Sequence, residues 1–290
     1  MDATQIYEIH RLSNGKWNYA ADELVQEEPL EIRVRGRAVT ITMRTPGHDQ
    51  ELAAGFLLAE GIVGSSADIL RMEICGRNES GNLLNVTLAP HVAVDFNKLT
   101  RHVLSSSSCG LCGNLAIDTL GEKFKPLRAD FQIDPAIISS FPDKMRQAQA
   151  AFDRTGGIHA AALFDSQGNL IVVREDIGRH NAVDKVIGYA LLNNHFPLDR
   201  AILLVSGRVS FEILQKALSA KIAMVAAVSA PSALAVELAR RNNQTLIGFL
   251  RDARMNVYAG ENRIALDVIA GGGSPGPHPS EKSGAAAPGY

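Results

Sequence analysis

The feature that most restricts how this chain can fold is an alternation that starts at Ile158. Strand Ile158 to Phe164, turn Asp165 to Asn169, strand Leu170 to Arg174 and helix Arg179 to Asn193 come first. Strand Ala201 to Val205, helix Ser210 to Ala220, strand Ile222 to Val228, helix Ser232 to Arg241 and strand Thr245 to Phe249 follow. Short apolar runs of this kind mark strands buried on both faces, and the amphipathic stretches between them are crossovers that lay helices on the sheet. The pattern predicts an α/β fold with a largely parallel sheet. In such a sheet the loops leaving the carboxyl ends of the strands share one rim, where ligands bind.

The residues upstream read differently. Residues 1–29 are polar and weakly patterned, and are expected to form a surface arm. Glu31 to Arg35 and Val39 to Met43 alternate apolar with polar around Gly36-Arg37, the period-two signature of a hairpin with Arg33 and Arg35 toward water. Glu51 to Glu60 carries Leu52, Phe56 and Leu57 at helical spacing until Gly61 stops it. Two more strands are expected at Leu70 to Cys75 and Leu83 to Leu88, and together these elements make a small α+β unit. Asp134-Pro135 starts a helix, and a second helix follows from Pro142 to Phe152. The expected organisation is an N-terminal arm (1–26), an α+β unit (27–104), a mobile cysteine loop (105–113), an α/β domain (114–270) and a disordered tail (271–290). The tail is Gly/Pro/Ser/Ala-rich with almost no large apolar residue.

Composition narrows the class of function. With 290 residues, 46% of them hydrophobic, the chain can bury a sizeable core. Lys and Arg number 29 against 31 Asp and Glu, which leaves no electrostatic footprint for nucleic acid. No charged segment followed by an apolar one opens the chain and no apolar run is long enough to span a bilayer, so a cytoplasmic protein without a membrane partner is expected. Three cysteines, an odd number, argue for reduced and chemically used thiols over a disulfide framework.

Two of the three cysteines lie in Ser105-Ser-Ser-Ser-Cys109-Gly-Leu-Cys112-Gly, ahead of a short helix expected from Leu115 to Leu120. The spacing lets the two sulfurs meet across one turn, and a helix start lowers a thiol pKa toward neutrality. Such a pair can form a disulfide, share a metal or pass a sulfur atom along. Two cysteines fall short of a zinc site. A zinc nucleobase deaminase would place His-x-Glu before Pro-Cys-x-x-Cys. Here Ser108 precedes Cys109, and His159 comes after the pair and is followed by Ala160-Ala161, so order and proton donor are both wrong. A serine-rich loop is a poor match for a thioredoxin motif, which leaves disulfide exchange open but second. Sulfur carriage needs a reachable thiolate that can become a persulfide, and a mobile CxxC arm meets that need. Cys75, in a half-buried strand, reads as an inert core residue.

Three loops are expected on the strand-end rim: Glu175-Asp176-Ile177-Gly178-Arg179-His180-Asn181, Ser206-Gly207-Arg208 and Ser229-Ala230-Pro231-Ser232. Each opens a helix and aims backbone N–H groups at the rim, while Arg179 and Arg208 suit phosphate. Taken singly, each loop is plain helix capping. Taken together they fit a phosphorylated or nucleotide-bearing ligand. His180, in a turn beside Arg179, is the better candidate for contact, whereas His159 reads as a structural histidine.

The runs Ser108-Cys109-Gly-Leu-Cys112-Gly113, Gly156-Gly157-Ile-His159-Ala160-Ala161, Arg174-Glu175-Asp176-Ile-Gly178-Arg179-His180-Asn181-Ala-Val-Asp184-Lys185, Ser206-Gly207-Arg208-Val-Ser210-Phe-Glu212 and Gly248-Phe249-Leu-Arg251 closely resemble the formate dehydrogenase accessory sulfurtransferases, the FdhD family. The resemblance runs from about residue 27 to residue 269. It implies a cytidine deaminase-like three-layer α/β domain in the second part, and a homodimer. It also implies a sulfurtransferase that takes sulfur from a cysteine desulfurase and passes it to the bis(molybdopterin guanine dinucleotide) molybdenum or tungsten cofactor before insertion into formate dehydrogenase, with no permanent metal. By motif position Cys109 matches the persulfide-bearing cysteine and Cys112 its partner thiol. Phe249, Leu250, Arg251, Asp252, Ala253 and Arg254 match the family's cofactor-contact stretch, joined by Arg179, His180, Ser206, Gly207 and Arg208 from the rim. Asp252-Ala253-Arg254 departs from the family's usual Gly-Arg ending. The competing class is a non-catalytic cofactor chaperone with a redox CxxC.

Overall fold

The computed structural model of the chain describes residues 3–75, 81–96 and 124–265. Cys109, Cys112, the expected helix Leu115 to Leu120, the first part of the turn after Cys75 and the tail from residue 271 lie outside the described residues. The first described element departs from the expected featureless arm. Strands β1 (Thr4–Ser13) and β2 (Lys16–Val25) form an antiparallel hairpin that pairs Thr4 with Val25 and Ser13 with Lys16. Its turn is Asn14-Gly15, with φ of 50° and 75°, the doubly left-handed turn that matches strand twist and that the Asn-Gly pair favours.

Strands β3 (Glu28–Val34), β4 (Arg37–Arg44), β5 (Ile69–Ile74) and β6 (Leu83–Leu88) make a four-stranded sheet in the order β4-β3-β6-β5. The β3–β4 hairpin forms where the alternation predicts it, and β3 pairs in parallel with β6. The inner face, with Leu30, Ile32, Val34, Val39, Leu84 and Val86, shares an apolar core with helix α1 (Asp49–Ala59).

The second sheet contains β7 (His159–Phe164), β8 (Leu170–Asp176), β9 (Ile202–Val205), β10 (Met224–Ala227), β11 (Thr245–Arg251) and β12 (Arg254–Ala259), in the order β12-β11-β10-β9-β7-β8. It corrects the expectation of a largely parallel sheet. Only β9–β10 and β10–β11 are parallel, whereas β7 runs antiparallel to both of its neighbours and β12 antiparallel to β11. Two tight hairpins, at Asp165 to Asn169 and at Asp252-Ala253, return the chain beside itself, and the sheet then sets β9 against the far side of β7. The fold is mixed α/β.

Helices α2 (Pro135–Ser139), α3 (Phe141–Gln147) and α4 (Ala150–Thr155) precede β7, and α5 (Arg179–Leu192), α6 (Phe211–Ser219) and α7 (Ala233–Arg241) are the crossovers. Asp134 caps α2 by accepting from Ala136 N at 2.7 Å. The single helix expected from Pro142 to Phe152 is divided, because the Glu175 carboxylate accepts from the N–H groups of Ala151 (2.9 Å) and Phe152 (2.8 Å) and starts α4 afresh. One face of the second sheet, through Ala161, Leu163, Leu203, Val205 and Val225, packs on α1, α5, α6 and α7. The other face, through Ala160, Ala162, Phe164, Ile202 and Leu204, packs on Ile138, Phe141 and Met145.

Helices α1 and α5 cross backbone to backbone. A methyl group on Gly55 would stand 1.9 Å from the Asp184 carbonyl oxygen, and one on Gly188 would stand 1.8 Å from the Glu51 carbonyl oxygen. No rotamer change relieves a clash with main chain. Gly188→Ala is therefore expected to lower stability by about 3 kcal/mol, measured by urea unfolding. At Gly64, where a methyl would meet nothing closer than 3.7 Å, the same change should stay within about 0.5 kcal/mol. Equal effects at the two positions would show that the crossing tolerates a side chain.

Candidate functional site

Because β7 is reversed between β8 and β9, the strands β8, β9, β10 and β11 all point the same way, and their carboxyl ends meet on one edge despite the mixed sheet. The start of β7 joins them, since His159 lies across from Asp176. Backbone hydrogen bonds lace the loops of this edge together. Ser206 N donates to Ala160 O (2.9 Å), Val228 N to Val205 O (3.1 Å), Val209 N to Ala230 O (3.2 Å), Ser232 N to Val209 O (2.9 Å) and Phe249 N to Ser229 O (3.1 Å).

Asp176, fully buried, organises the start of α5. Its Oδ1 accepts from Gly178 N (2.8 Å) and from Asn181 Nδ2 (3.0 Å), and its Oδ2 accepts from Thr45 N (3.2 Å) and pairs with Lys185 Nζ (2.7 Å). Lys185 also donates to the carbonyls of Thr45 (2.9 Å) and Glu175 (3.3 Å), and Asn181 donates to Met43 O (2.7 Å). The four-stranded sheet thus holds the loop before α5 in place. The loop pattern alone does not single out Asp176 or Lys185 for this role. The readable trace is the Asp-x-Gly spacing, which lets a side chain accept from the backbone two residues on.

Arg179 and His180 follow directly. Gly178, the N-cap residue of α5, has no side chain of its own with which to cap the first turn. Arg179 Nε is buried and meets no partner among the described residues. A buried guanidinium nitrogen without an acceptor is costly, and an anion supplied from outside would satisfy it. Gly207 closes over the same spot: a methyl there would reach His159 Nδ1 at 3.4 Å and Arg179 Cβ at 3.8 Å. The structure therefore brings Arg179, Gly207 and His159 together.

His180 is more occupied than its sequence context implies. Its Nε2 lies 3.3 Å from Ser210 Oγ and 3.0 Å from Glu212 Oε2, which ties α5 to the first turn of α6. Burial first, then the charges of Arg179 and Lys216, hold its pKa down to about 3. Burial and Arg179 lower His159 as well. Two neutral imidazoles therefore flank a permanent cation. On α5 the carboxylate of Asp184 is raised to about 6 by burial, against the pull of Lys216 Nζ at 2.7 Å.

The remaining expected residues are spread along the edge. Ser206 Oγ accepts from Ala160 N at 2.9 Å, so its hydroxyl already fastens β7 to the loop after β9. Arg208 is exposed. Phe249 is 37% exposed with a left-handed φ of 53°. Gly248 before it is hemmed in by Pro231 (2.8 Å from a methyl placed there) and Tyr258 (3.0 Å). Leu250 is fully buried in the core, so its side chain does not reach the edge. Arg251 and Arg254 are exposed, Asp252 and Ala253 form a left-handed turn (φ 50° and 57°), and Arg254 lies 3.6 Å from Asp252. Cys75 is half-buried just past the end of β5, its N–H donating to Leu83 O. Among the described residues no cluster of three or more His, Cys, Asp or Glu is placed to hold a metal, and no helix is long and apolar enough to cross a membrane.

Fold and site define a mixed α/β protein whose strand-end edge carries Arg179, Arg208, Arg251 and Arg254. A family model described as the FdhD/NarQ family matches residues 25–265, and the chain belongs to that family. It is 49% identical over 278 residues to the sulfur carrier protein FdhD of Streptomyces avermitilis, covering 93% of this chain and 99% of the relative. It is 48% identical over 272 residues to the protein of the same name from Mycobacterium tuberculosis, covering 90% and 99%. A crystal structure of a putative formate dehydrogenase accessory protein from Desulfotalea psychrophila superposes with a TM-score of 0.73 at 25% identity, covering 91% of this chain and all of the other.

The depressed imidazole at His180 has a pH consequence with a definite sign. Folded His180 resists protonation down to about 3 while an unfolded histidine protonates near 6.5, so the unfolded chain binds the extra proton. Stability should fall as pH drops from 6.5 toward 3, and His180→Gln should flatten that slope in urea unfolding at pH 7.5, 6 and 5. An unchanged slope would mean that His180 is protonated when folded.

Proposed function

We propose that the protein carries sulfur for the activation of formate dehydrogenase. Its relatives bear the name sulfur carrier protein FdhD, and the observation that supports the reading best is the unsatisfied Arg179 Nε beside the start of α5 and Gly207. The cargo acceptor in this reading is the bis(molybdopterin guanine dinucleotide) cofactor of molybdenum or tungsten, bound as substrate. Its pyrophosphates suit Arg179, Arg208 and the helix starts. Phe249, exposed beside the Ser229 loop, offers a ring for a guanine base. Arg251 and Arg254 add charge along the same edge. The reading also includes a cytidine deaminase-like layering of the second sheet, in keeping with its two covered faces, and a homodimer in the cytoplasm.

The chemistry belongs to the cysteines. Cys109 thiolate attacks the outer sulfur of a cysteine desulfurase persulfide. The donor S–S bond breaks, the donor thiolate leaves with the electron pair, and Cys109 holds the new persulfide. Delivery follows when Cys112 thiolate attacks the Cys109 sulfur: a Cys109–Cys112 disulfide forms, sulfide leaves with the electron pair, and a thiol reductant resets the pair. The chain's own part is to hold the nucleotide ends at the edge while the outer sulfur is presented.

Mass spectrometry after incubation with a desulfurase and cysteine should show a gain of about 32 Da per sulfur carried. The gain should vanish in Cys109→Ala, which should also fail to activate formate dehydrogenase in a complementation assay. Guanosine diphosphate binding without any mass gain would replace the carrier by a cofactor chaperone. Arg208→Ala should weaken guanosine diphosphate binding about tenfold, the worth of one charge-assisted contact, with persulfide loading intact. Unchanged titration would remove Arg208 from the site.

A further inference from the structure

Among the described residues three cationic side chains are almost completely buried: Arg44, Lys185 and Arg263, at 0%, 1% and 1% exposure. A charge taken out of water is expensive unless an opposite charge meets it. Arg44 meets Asp49 at 2.9 and 3.0 Å and Glu28 at 3.3 Å, and Lys185 meets Asp176 at 2.7 Å. Arg263 meets no carboxylate among the described residues. Its Nε donates to Ala129 O (3.3 Å) and its Nη1 to Thr245 Oγ1 (3.2 Å), both neutral acceptors. Its Nη2, also buried, has no acceptor there. Burial lowers the basicity of this guanidinium and no carboxylate works against it.

The surroundings hold Arg263 in this position. Thr245 donates its own hydroxyl proton to Gly260 O (2.7 Å), so toward Arg263 it only accepts. Ile133 N donates to Arg263 O (3.0 Å), Ala265 N to Ile133 O (2.9 Å) and Gln132 Nε2 to Asn262 O (3.0 Å), which clamps the segment before α2 onto residues 260–265. The guanidinium cannot turn to water without giving up both acceptors. Thr245 opens the seven-residue β11, so Arg263 lies at the opposite end of that strand from the Arg179 edge, roughly 20 Å away at about 3.3 Å per residue.

We infer that Arg263 binds a small monovalent anion, chloride in solution, at Nη2. A water molecule would satisfy the hydrogen bond but brings no charge, and the guanidinium would stay uncompensated. A phosphate group brings charge together with several oxygens that need donors, whereas Arg263 has one nitrogen to spare. A single spherical anion matches both the charge and the one free donor group. Its effect is structural: it completes the contact between the segment before α2 and the end of the described chain.

The inference goes beyond the sulfur-carrier reading, and the two fail separately, because persulfide loading is read by mass and anion binding by melting and diffraction. The melting temperature of the full chain should rise in sodium chloride relative to sodium gluconate, a bulkier anion, at equal ionic strength. With a dissociation constant of about 1 mM, chloride at about 100 mM raises the midpoint by about 5 °C. Arg263→Met should melt alike in the two salts, whereas Arg179→Gln, which removes the other buried guanidinium nitrogen lacking an acceptor, should keep the response. Circular dichroism establishes that each variant is folded. If Arg263→Met does not fold, the wild type decides alone: crystals soaked in sodium bromide should show an anomalous peak within hydrogen-bond distance of Arg263 Nη2. Equal melting of the wild type in the two salts, or a chloride response that Arg263→Met leaves whole, would overturn the proposal. So would bromide confined to the surface, with a water or one of the chain's own carboxylates on Nη2.

Discussion

The contact on which the rest of the molecule depends is the crossing of α1 and α5 at Gly55 and Gly188. With no side chain at either position, the two backbones touch, and α5 sits at a depth that no larger residue permits. That depth fixes what the ends of the helices can reach. Glu51, on the crossing face of α1, is bound through both oxygens by Arg174 at 2.6 and 2.8 Å. Although burial opposes its charge, that pairing and the nearby His48 hold its carboxyl down to about 2. The Arg174 guanidinium also lies 4.9 Å from the Tyr189 ring on α5, so one side chain joins β8, α1 and α5.

From the same crossing the four-stranded sheet comes within reach of the edge where the site lies. Thr42, Met43 and Thr45, at the end of β4 and just beyond it, bond to Asn181, Asp176, Ile177 and Lys185. The small sheet is therefore part of the apparatus that holds Arg179 and His180. Replacing one partner of the buried Lys185–Asp176 pair would strand a charge with no water to solvate it, which is the expensive way to break such a pair. Its several hydrogen bonds to backbone give the loop a single geometry.

How much of this is legible in the chain follows from which interactions are local. The strands and helices from His159 onward, the cap at Asp134 and the hairpin at Gly36 depend on neighbours in sequence and are readable from period and turn chemistry. The direction of β7 is not, because pairing with β9 in place of a crossover is decided by the sheet. The N-terminal hairpin hides for a different reason: with both faces largely in water its alternation is weak, and only Asn14-Gly15 announces it. Asp176 acts on Thr45, 131 residues away, so nothing near it in the sequence reveals what it holds. The candidate edge was legible as a cluster of loops with two arginines. Which side chains are already spent, Ser206 on Ala160 and His180 on Ser210 and Glu212, emerges only in three dimensions.

That division between spent and unspent groups bears on what the edge can bind. A ligand approaching Arg179 meets a permanent cation whose Nε has no internal acceptor, flanked by two histidines that burial keeps neutral. Were both imidazoles charged, the three cations would repel one another across a few ångströms of low dielectric and the start of α5 would be strained apart. Keeping them neutral concentrates the positive potential on one guanidinium and on the backbone N–H groups behind it, a directional arrangement suited to oxygens of a phosphate group. Exposed Arg208, Arg251 and Arg254 extend the charge outward along the same edge, where a long polyanion can follow it. The edge is thus graded, with half-buried Arg179, whose Nε is fully enclosed, and an outer series of solvated charges. Under the proposed function that gradation would serve a ligand with several phosphates.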